Sequence, residues 1–389
     1  MLGLDLAYRN PRVEAAVLEN LGQLHFQLAN HGLAAEFFGQ RLQLPWLSKE
    51  QQLWMHWRYA RALYYSNRYP AAYREAEEAL ALGQQLEHQE TPALLERAAF
   101  YALQAQGYPR AAELYTALLK SNQLTGNNAV KARFSLAYAY FQLNQPEKAQ
   151  KAFTEVLQAL PQASPVAANN DRLASFQPRR LEVQSYGFLA RLAATTPERL
   201  SWLEKRLALL QKMHSEDRRF SLDELSRFSL IIQTRLQKAE QLETLNPVAS
   251  AEEMRRVLQE LANYQKAGGP LGSQPVLQSL YNYLTLGAYH PRAFAEEPKA
   301  LEELVEATLD ELYLELYMPP VNHAQRLKLQ LLHRLYRAQR QENPDPQNLE
   351  QQLLELETSD AWQSLALTRP DLLEELNQLA RGIRQLTDS

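Results

Sequence analysis

Hydrophobic residues recur at helical spacing along the first 160 residues, and one arrangement of them appears four times. Each copy begins with an anchor alanine, which is followed four and seven residues later by side chains that are bulky or small, as in Ala111, Tyr115 and Leu118. Successive anchors are 38, 39 and 38 residues apart, at Ala34, Ala72, Ala111 and Ala149. Apolar residues at this spacing predict amphipathic helices, and a fixed period predicts a stack of repeated helical units.

A second small residue lies twelve positions before each anchor, at Gly22, Ala60, Ala99 and Ala137. Small side chains on two helices allow the helices to approach closely, while the bulky residues fill the space against the next unit. This alternation resembles the tetratricopeptide repeat. The resemblance implies four helix hairpins at about residues 13–44, 51–85, 92–122 and 129–160. The period is longer than the family's usual length of about 34 residues.

We therefore expect an all-α fold, a right-handed superhelical α-solenoid followed by degenerate hairpins or a helical cap. The predicted domains are a repeat array over residues 1–161, a linker or flexible loop over 162–180, and an all-helical region over 181–389. Residues 1–10 read as the tail of a preceding repeat, so the chain is interpreted either as a piece of a longer protein or as carrying an atypical cap. The helices expected in the last region are 197–214, 222–245, 251–266, 274–288, 298–317, 322–341, 346–357 and 370–386.

Three local features refine this picture of the later region. Thr196 before Pro197 reads as a helix cap, and Ser250 with Glu253 matches a capping box. Residues 296–316 are acidic and residues 326–340 are basic. The two segments are expected to form a hairpin with solvated polar faces, or one held partly by complementary charge.

Composition excludes several classes of function. The 389-residue chain has a net charge of −4 and a pI near 6.1, so nothing in it attracts nucleic acid generally. It contains no cysteine, which excludes disulfides and thiolate chemistry. No apolar run is long enough to span a membrane, and the N-terminus does not resemble a signal peptide. The expected compartment is the cytoplasm, or the periplasm if an upstream export signal has been removed.

Catalytic and metal-binding patterns are missing from the sequence. None of the eight histidines forms a zinc-protease motif, and there is no glycine-rich phosphate loop and no nucleophile elbow. We therefore expect a protein that is not an enzyme and that uses no cofactor and no metal.

The resemblance instead points to the concave surface that the first helix of each repeat lines in this family. Nine residues at such positions are predicted to bind a partner: Trp54, Trp57, Arg61, Tyr64, Tyr65, Phe100, Phe134, Tyr138 and Phe141. Repeat 1 has Glu19 and Gln23 where members that grip a C-terminal carboxylate need Lys and Asn, so that clamp is not expected.

The sequence leaves three functions open. The first is a scaffold or adaptor that binds a peptide or helix of a protein partner of unknown identity, within a larger assembly. The second is a structural subunit whose groove is filled by its own later helices. The third is a module that senses a saccharide or other small ligand.

Overall fold

The computed structural model describes residues 11–44, 47–121, 124–160, 178–216, 224–267, 274–289, 298–314, 320–340 and 346–387. Within these ranges the regular structure is α-helical and contains no strand. The contacts divide the chain into two units, residues 1–192 and 193–389. The described helices of the first unit are α1 (Pro11–Gln27), α2 (His31–Gln43), α3 (Lys49–Tyr65), α4 (Tyr69–Gln85), α5 (Thr91–Gln104), α6 (Tyr108–Lys120), α7 (Gly126–Gln142), α8 (Pro146–Ala159) and α9 (Pro178–Leu192).

Helices α1 to α8 form the four expected hairpins, and each hairpin turns in the same way. The turn residue has a left-handed backbone in all four, with φ between 53° and 61° at Ala29, Asn67, Gln106 and Asn144. The next residue donates its amide to a carbonyl five positions back, as Arg68 does to Leu63 at 2.9 Å. Such bonds satisfy carbonyls that a helix end leaves free. These turns have the same 38-, 39- and 38-residue spacing as the anchors.

The small residues at the predicted close-approach positions are all buried. Gly22 is buried, and the other seven have no exposed surface: Ala34, Ala60, Ala72, Ala99, Ala111, Ala137 and Ala149. Bulky partners such as Phe38, Leu118 and Phe153 fill the space beside them and are at most 1% exposed. The fold class inferred from the sequence, an all-α helical repeat solenoid, is confirmed.

Helix α9 packs against α8, the last helix of repeat 4. Leu181 lies against the buried cluster of Val130, Val156 and Leu160. The ring of Phe188 stacks on Phe153 with their centroids 4.8 Å apart. Residues 178–180 belong to the first turn of this helix, whereas the sequence analysis assigns them to the linker. The rest of the predicted linker and residues 1–10 lie outside the described residues.

The second unit contains α10 (Thr196–Glu216), α11 (Glu224–Leu242), α12 (Pro247–Lys266), α13 (Gln274–Tyr289), α14 (Pro298–Leu314), α15 (Pro320–Arg340), α16 (Pro346–Glu357), α17 (Asp360–Thr368) and α18 (Pro370–Thr387). Helix α15 packs against α13, α14, α17 and α18. A buried apolar cluster extends from Ile232 on α11 to Ile383 on α18. Arg337 on α15 pairs with Glu302 on α14 at 3.8 Å, so the acidic and basic segments make at least this ionic contact.

Several local predictions for this unit are wrong in detail. Ser250 lies inside α12, where it is buried and donates a hydrogen bond of 2.7 Å to the carbonyl of Ala239. The cap is Asn246, whose side chain accepts the amide of Ala249. At the start of α10 the capping oxygen belongs to Thr195, one residue before the predicted Thr196.

One helix is missing from the sequence prediction. Helix α17 is short, and it begins after Ser359, whose hydroxyl accepts the amide of Trp362 at 3.4 Å. Trp362 and Leu365 are buried on its inner face.

Candidate partner-binding surface

The nine residues predicted to bind a partner lie on α3, α5 and α7, the first helices of repeats 2, 3 and 4. We call this set the aromatic surface. Arg61 is exposed and the other eight side chains are half-buried. Their rings therefore contact neighbouring residues on one side and solvent on the other.

At the repeat 1 end of the aromatic surface, Tyr65 meets residues of the first hairpin. Its ring lies 5.7 Å from Phe26 and 4.9 Å from His31, between centroids. The guanidinium of Arg61 lies 4.8 Å from the centre of the Phe26 ring. Burial lowers the pKa of His31. This end thus combines three rings with one exposed cation.

Tyr64 is the centre of a second group of rings, at the junction of repeats 2 and 3. Its ring stacks on Tyr101 with centroids 5.1 Å apart, and it lies 5.4 Å from Phe100. Tyr65 and Tyr69 are within 5.5 Å of it as well. Tyr64 therefore helps to hold consecutive repeats together, in addition to any contact with a partner.

The two tryptophans lie in the first half of α3. Trp54 meets the imidazole of His88 edge to face at 5.4 Å. Both tryptophans pack at the edge of the buried cluster that joins repeats 2 and 3 and that includes Leu53 and Leu94. Their half-burial leaves part of each indole accessible.

The repeat 4 part of the aromatic surface is partly covered by the chain itself. Phe188 of α9 lies 4.9 Å from Phe141, 5.8 Å from Tyr138 and 6.2 Å from Phe134, between ring centroids. These three residues are thus packed by their own chain, which the sequence suggests as an alternative to an open groove. Their role in binding a partner stays a prediction.

Some charged side chains near the aromatic surface form ion pairs and others do not. Glu19 of α1 and Arg58 of α3 form an ion pair. Within the described residues, Arg61 on α3 and Arg97 on α5 form no ion pair with a carboxylate, and both side chains are exposed. Burial raises the pKa of Tyr101 to about 12, while the charges of Arg97 and Arg61 act in the opposite direction.

Several residues that shape this surface are not predicted by the sequence. Tyr101 directly follows a predicted surface residue. Tyr108, whose ring lies 6.4 Å from that of Tyr138, opens a second helix. The repeat register gives no reason to place either residue at this surface. Phe188 lies outside the repeat pattern. The one sequence signal for it is an aromatic residue in the helical segment that follows the proline-rich stretch. His31 is the first residue of α2, where the resemblance assigns no contact with a ligand.

Other kinds of site find little support in the described ranges. These residues include no group of three or more His, Cys, Asp or Glu that could hold a metal ion. None of the described helices is long and apolar enough to cross a membrane. A cleft of about 370 Å³ in the second unit is lined by Tyr281, Lys328, Glu375 and neighbouring residues, and Lys328 and Glu375 pair with each other there.

One of the four hairpins matches a known repeat family. Residues 130–162 match the family model described as tetratricopeptide repeat, which corresponds to the fourth hairpin, α7 and α8. No curated protein matches the chain. The eight described helices α1 to α8 repeat one geometry, so they form an all-α helical repeat solenoid whose fourth hairpin is similar to a tetratricopeptide repeat.

Several solved structures resemble the chain over most of its length. The apo form of RapI is 10% identical, with 95% of this chain and 97% of that chain covered and a TM-score of 0.48. The apo quorum sensor NprR from B. thuringiensis is 11% identical, with 96% and 88% covered and a TM-score of 0.41. The P58(IPK) TPR domain is 12% identical, with 95% and 98% covered and a TM-score of 0.24. Likenesses this distant carry no argument about function.

Proposed function

We propose that the chain is a non-catalytic scaffold or adaptor that binds an apolar peptide or helix of a protein partner. The observation that carries this proposal is the aromatic surface, where large rings remain half-exposed on the first helices of successive repeats. Tryptophan, tyrosine and arginine are enriched in binding hot spots. Aromatic side chains offer a large contact area with few rotatable bonds. The partner is a protein of unknown identity, bound within a larger assembly.

The accessible part of this surface is proposed to lie on repeats 2 and 3. Trp54, Trp57, Tyr65 and Phe100 have no ring contact with α9 among the described residues, whereas the rings of repeat 4 contact Phe188. This contact favours a second candidate function for the repeat 4 end, in which the chain fills its own groove there. The two roles are compatible if the partner occupies repeats 2 and 3.

Selection from a random dodecapeptide library, fused through its C-terminal end to a phage coat protein, tests the proposal. We expect the wild-type chain to select peptides rich in apolar residues. Trp57→Ala and Phe100→Ala should weaken the binding of those peptides by about 2 kcal/mol or more. Tyr73→Ala is the matched control, because Tyr73 is a half-buried aromatic residue on the second helix α4.

Thermal melting of the same variants separates binding from folding. Because Trp57 and Phe100 are half-buried, their truncation should cost less than the roughly 3–5 kcal/mol of a fully buried aromatic residue. The proposed function would be contradicted if the wild-type chain selects no peptide. It would also be contradicted if Trp57→Ala, Phe100→Ala and Tyr73→Ala bind the selected peptides with equal affinity.

A further inference from the structure

Two arginines flank the Tyr64–Tyr101 stack from neighbouring repeats. Arg61 precedes Tyr64 by three residues on α3, and Arg97 precedes Tyr101 by four residues on α5. Residues three or four apart are neighbours on one helix face. Because the two tyrosine rings lie 5.1 Å apart between centroids, the two arginines lie on either side of this stack, and the charges of both act on Tyr101. Arg61 lies on the side of repeat 1, with its guanidinium over Phe26.

Among the described residues, Arg61 and Arg97 have no counterion, in contrast to Arg58 and Arg110 on nearby helices. On α3, Arg58 pairs with Glu19, and on α6, Arg110 pairs with Glu77 and Glu113. In the described part of the chain Arg61 and Arg97 form no ion pair. Both are exposed, so an anion can reach them from solvent.

The surroundings suit an anionic group that has apolar neighbours. Phe26 of repeat 1 lies beneath the Arg61 guanidinium, and Phe100 lies against Tyr64. A guanidinium can stack on a ring and still present its N–H groups to a carboxylate in a bidentate manner. The Tyr101 hydroxyl is neutral at pH 7, as burial only raises its pKa further, to about 12, so it adds no negative charge to the junction.

We propose that Arg61 and Arg97 form a subsite for the carboxylate side chain of an acidic residue in the partner peptide, whose apolar neighbours contact the adjacent rings. This inference rests on the proposed function and adds the chemistry of the ligand to it. It assigns the partner segment a glutamate or aspartate next to leucine-like or aromatic residues.

The peptide library provides the first test. Wild-type protein should select peptides in which Asp or Glu is enriched beside apolar residues. The Arg61→Gln, Arg97→Gln double variant should still select apolar peptides but lose the acidic enrichment. A control with the same loss of charge, Arg74→Gln with Arg110→Gln on the second helices α4 and α6, should select the wild-type set.

Synthetic peptides provide the second test. The best acidic peptide, with its C-terminus amidated, is compared by fluorescence anisotropy with the same peptide carrying Gln in place of the acidic residue. We expect about a tenfold weaker Kd for the Gln peptide, which corresponds to about 1.4 kcal/mol. The difference should shrink as NaCl is raised, because salt screens exposed charges. The comparison uses wild-type protein, so it holds even if the double variant folds poorly.

The outcomes separate this inference from the proposed function. Equal binding of the Glu and Gln peptides would overturn the carboxylate subsite and leave the scaffold proposal standing. The subsite would also be overturned if binding depends on the arginines only for peptides with a free C-terminus, because the bound anion would then be the C-terminal carboxylate of the peptide. Failure of the library to select any peptide through Trp57 and Phe100 would overturn both.

Discussion

At the scale of single residues, close approach between helices depends on positions that hold almost no side chain. Gly22 on α1 is the clearest case. A Cβ at Gly22 would lie 2.5 Å from Cε1 of Phe38, whose ring is only 1% exposed and therefore closely packed. A Cβ at Gly32, near the start of α2, would have no heavy atom of a neighbouring group within 4 Å.

These two glycines make a matched pair for a stability measurement. Gly22→Ala should be less stable than Gly32→Ala by about 1–3 kcal/mol, the usual cost of overpacking a core. Alanine favours a helix interior over glycine by roughly 1 kcal/mol. Gly32 lies in the first turn of α2, so the comparison removes part of that contribution. Chemical denaturation monitored by circular dichroism provides the values. Equal stabilities would show that α1 and α2 can move apart at no cost.

Residue types alone predict the small positions correctly, because a small side chain between two helices has few structural explanations. They predict other positions less well. Leu136 is an apolar residue beside the small Ala137, yet it is half-buried at the edge of the cluster between repeats 2 and 3. Ser250 fits a local capping motif, but its hydroxyl bonds to another helix. Neither the exposure of Leu136 nor the bonding partner of Ser250 can be deduced from the residues next to it in the sequence.

At the scale of helices, the second unit contains a buried group of charges that joins α11 and α12. Glu253 accepts from Arg235 at 2.8 Å and lies 3.2 Å from Lys238, and it is 3% exposed. Burial alone would raise the pKa of Glu253, but its hydrogen bonds and ion pairs with Arg235 and Lys238 outweigh that effect and lower it. Glu253 is therefore ionised at neutral pH. Its stabilising effect is present above the ordinary pKa of a glutamate and is lost as the pH falls from there through the lowered pKa.

Truncation of this carboxylate should destabilise the second unit. We expect Glu253→Ala to cost about 3–5 kcal/mol, because it leaves the buried Arg235 with fewer partners. Glu252→Ala is the control, since Glu252 pairs with Arg256 on the exposed side of the same helix and such pairs contribute about 0–1 kcal/mol. Hydrogen exchange of α11 and α12 localises the effect. Similar exchange in both variants would show that the buried group adds little.

The sequence does not reveal this network, for a physical reason. Its members are far apart in the chain, from Glu204 to Glu260, and charges on separate helices leave no periodic signal. The repeats are predictable because each one makes the same contacts as its neighbours. In the second unit the contacts are particular to each pair of helices.

At the scale of the molecule, the candidate binding surface is only partly predictable, because some of its contacts repeat from hairpin to hairpin and others occur once. The repeat register assigns the nine candidate residues to the first helices, because surface positions follow once the buried ones are known. It cannot show that Phe188 of α9 packs on the rings of repeat 4. That contact depends on how the chain continues after the repeats.

Two fragments test how far the first unit extends. The sequence ends the array at residue 161, whereas the contacts divide the chain after Leu192. Residues 1–160 lack α9 and would expose surface of Phe153, Val156 and Leu160, which are at most 8% exposed in the full chain. Full burial of such side chains contributes about 1.5–3 kcal/mol each. We therefore expect a fragment of residues 1–192 to be more stable than one of residues 1–160 by about 3 kcal/mol or more.

Urea unfolding of the two fragments, followed by circular dichroism, measures this difference. In the longer fragment, Phe188→Ala should give an intermediate stability, because it removes the ring stacked on Phe153 and leaves Leu181 in place. Arg180→Ala is the control on the same helix, since its side chain is exposed. If both fragments unfold at the same urea concentration, α9 contributes nothing to the array. The repeats would then end where the sequence places the boundary, and the rings of repeat 4 would be free to bind a partner.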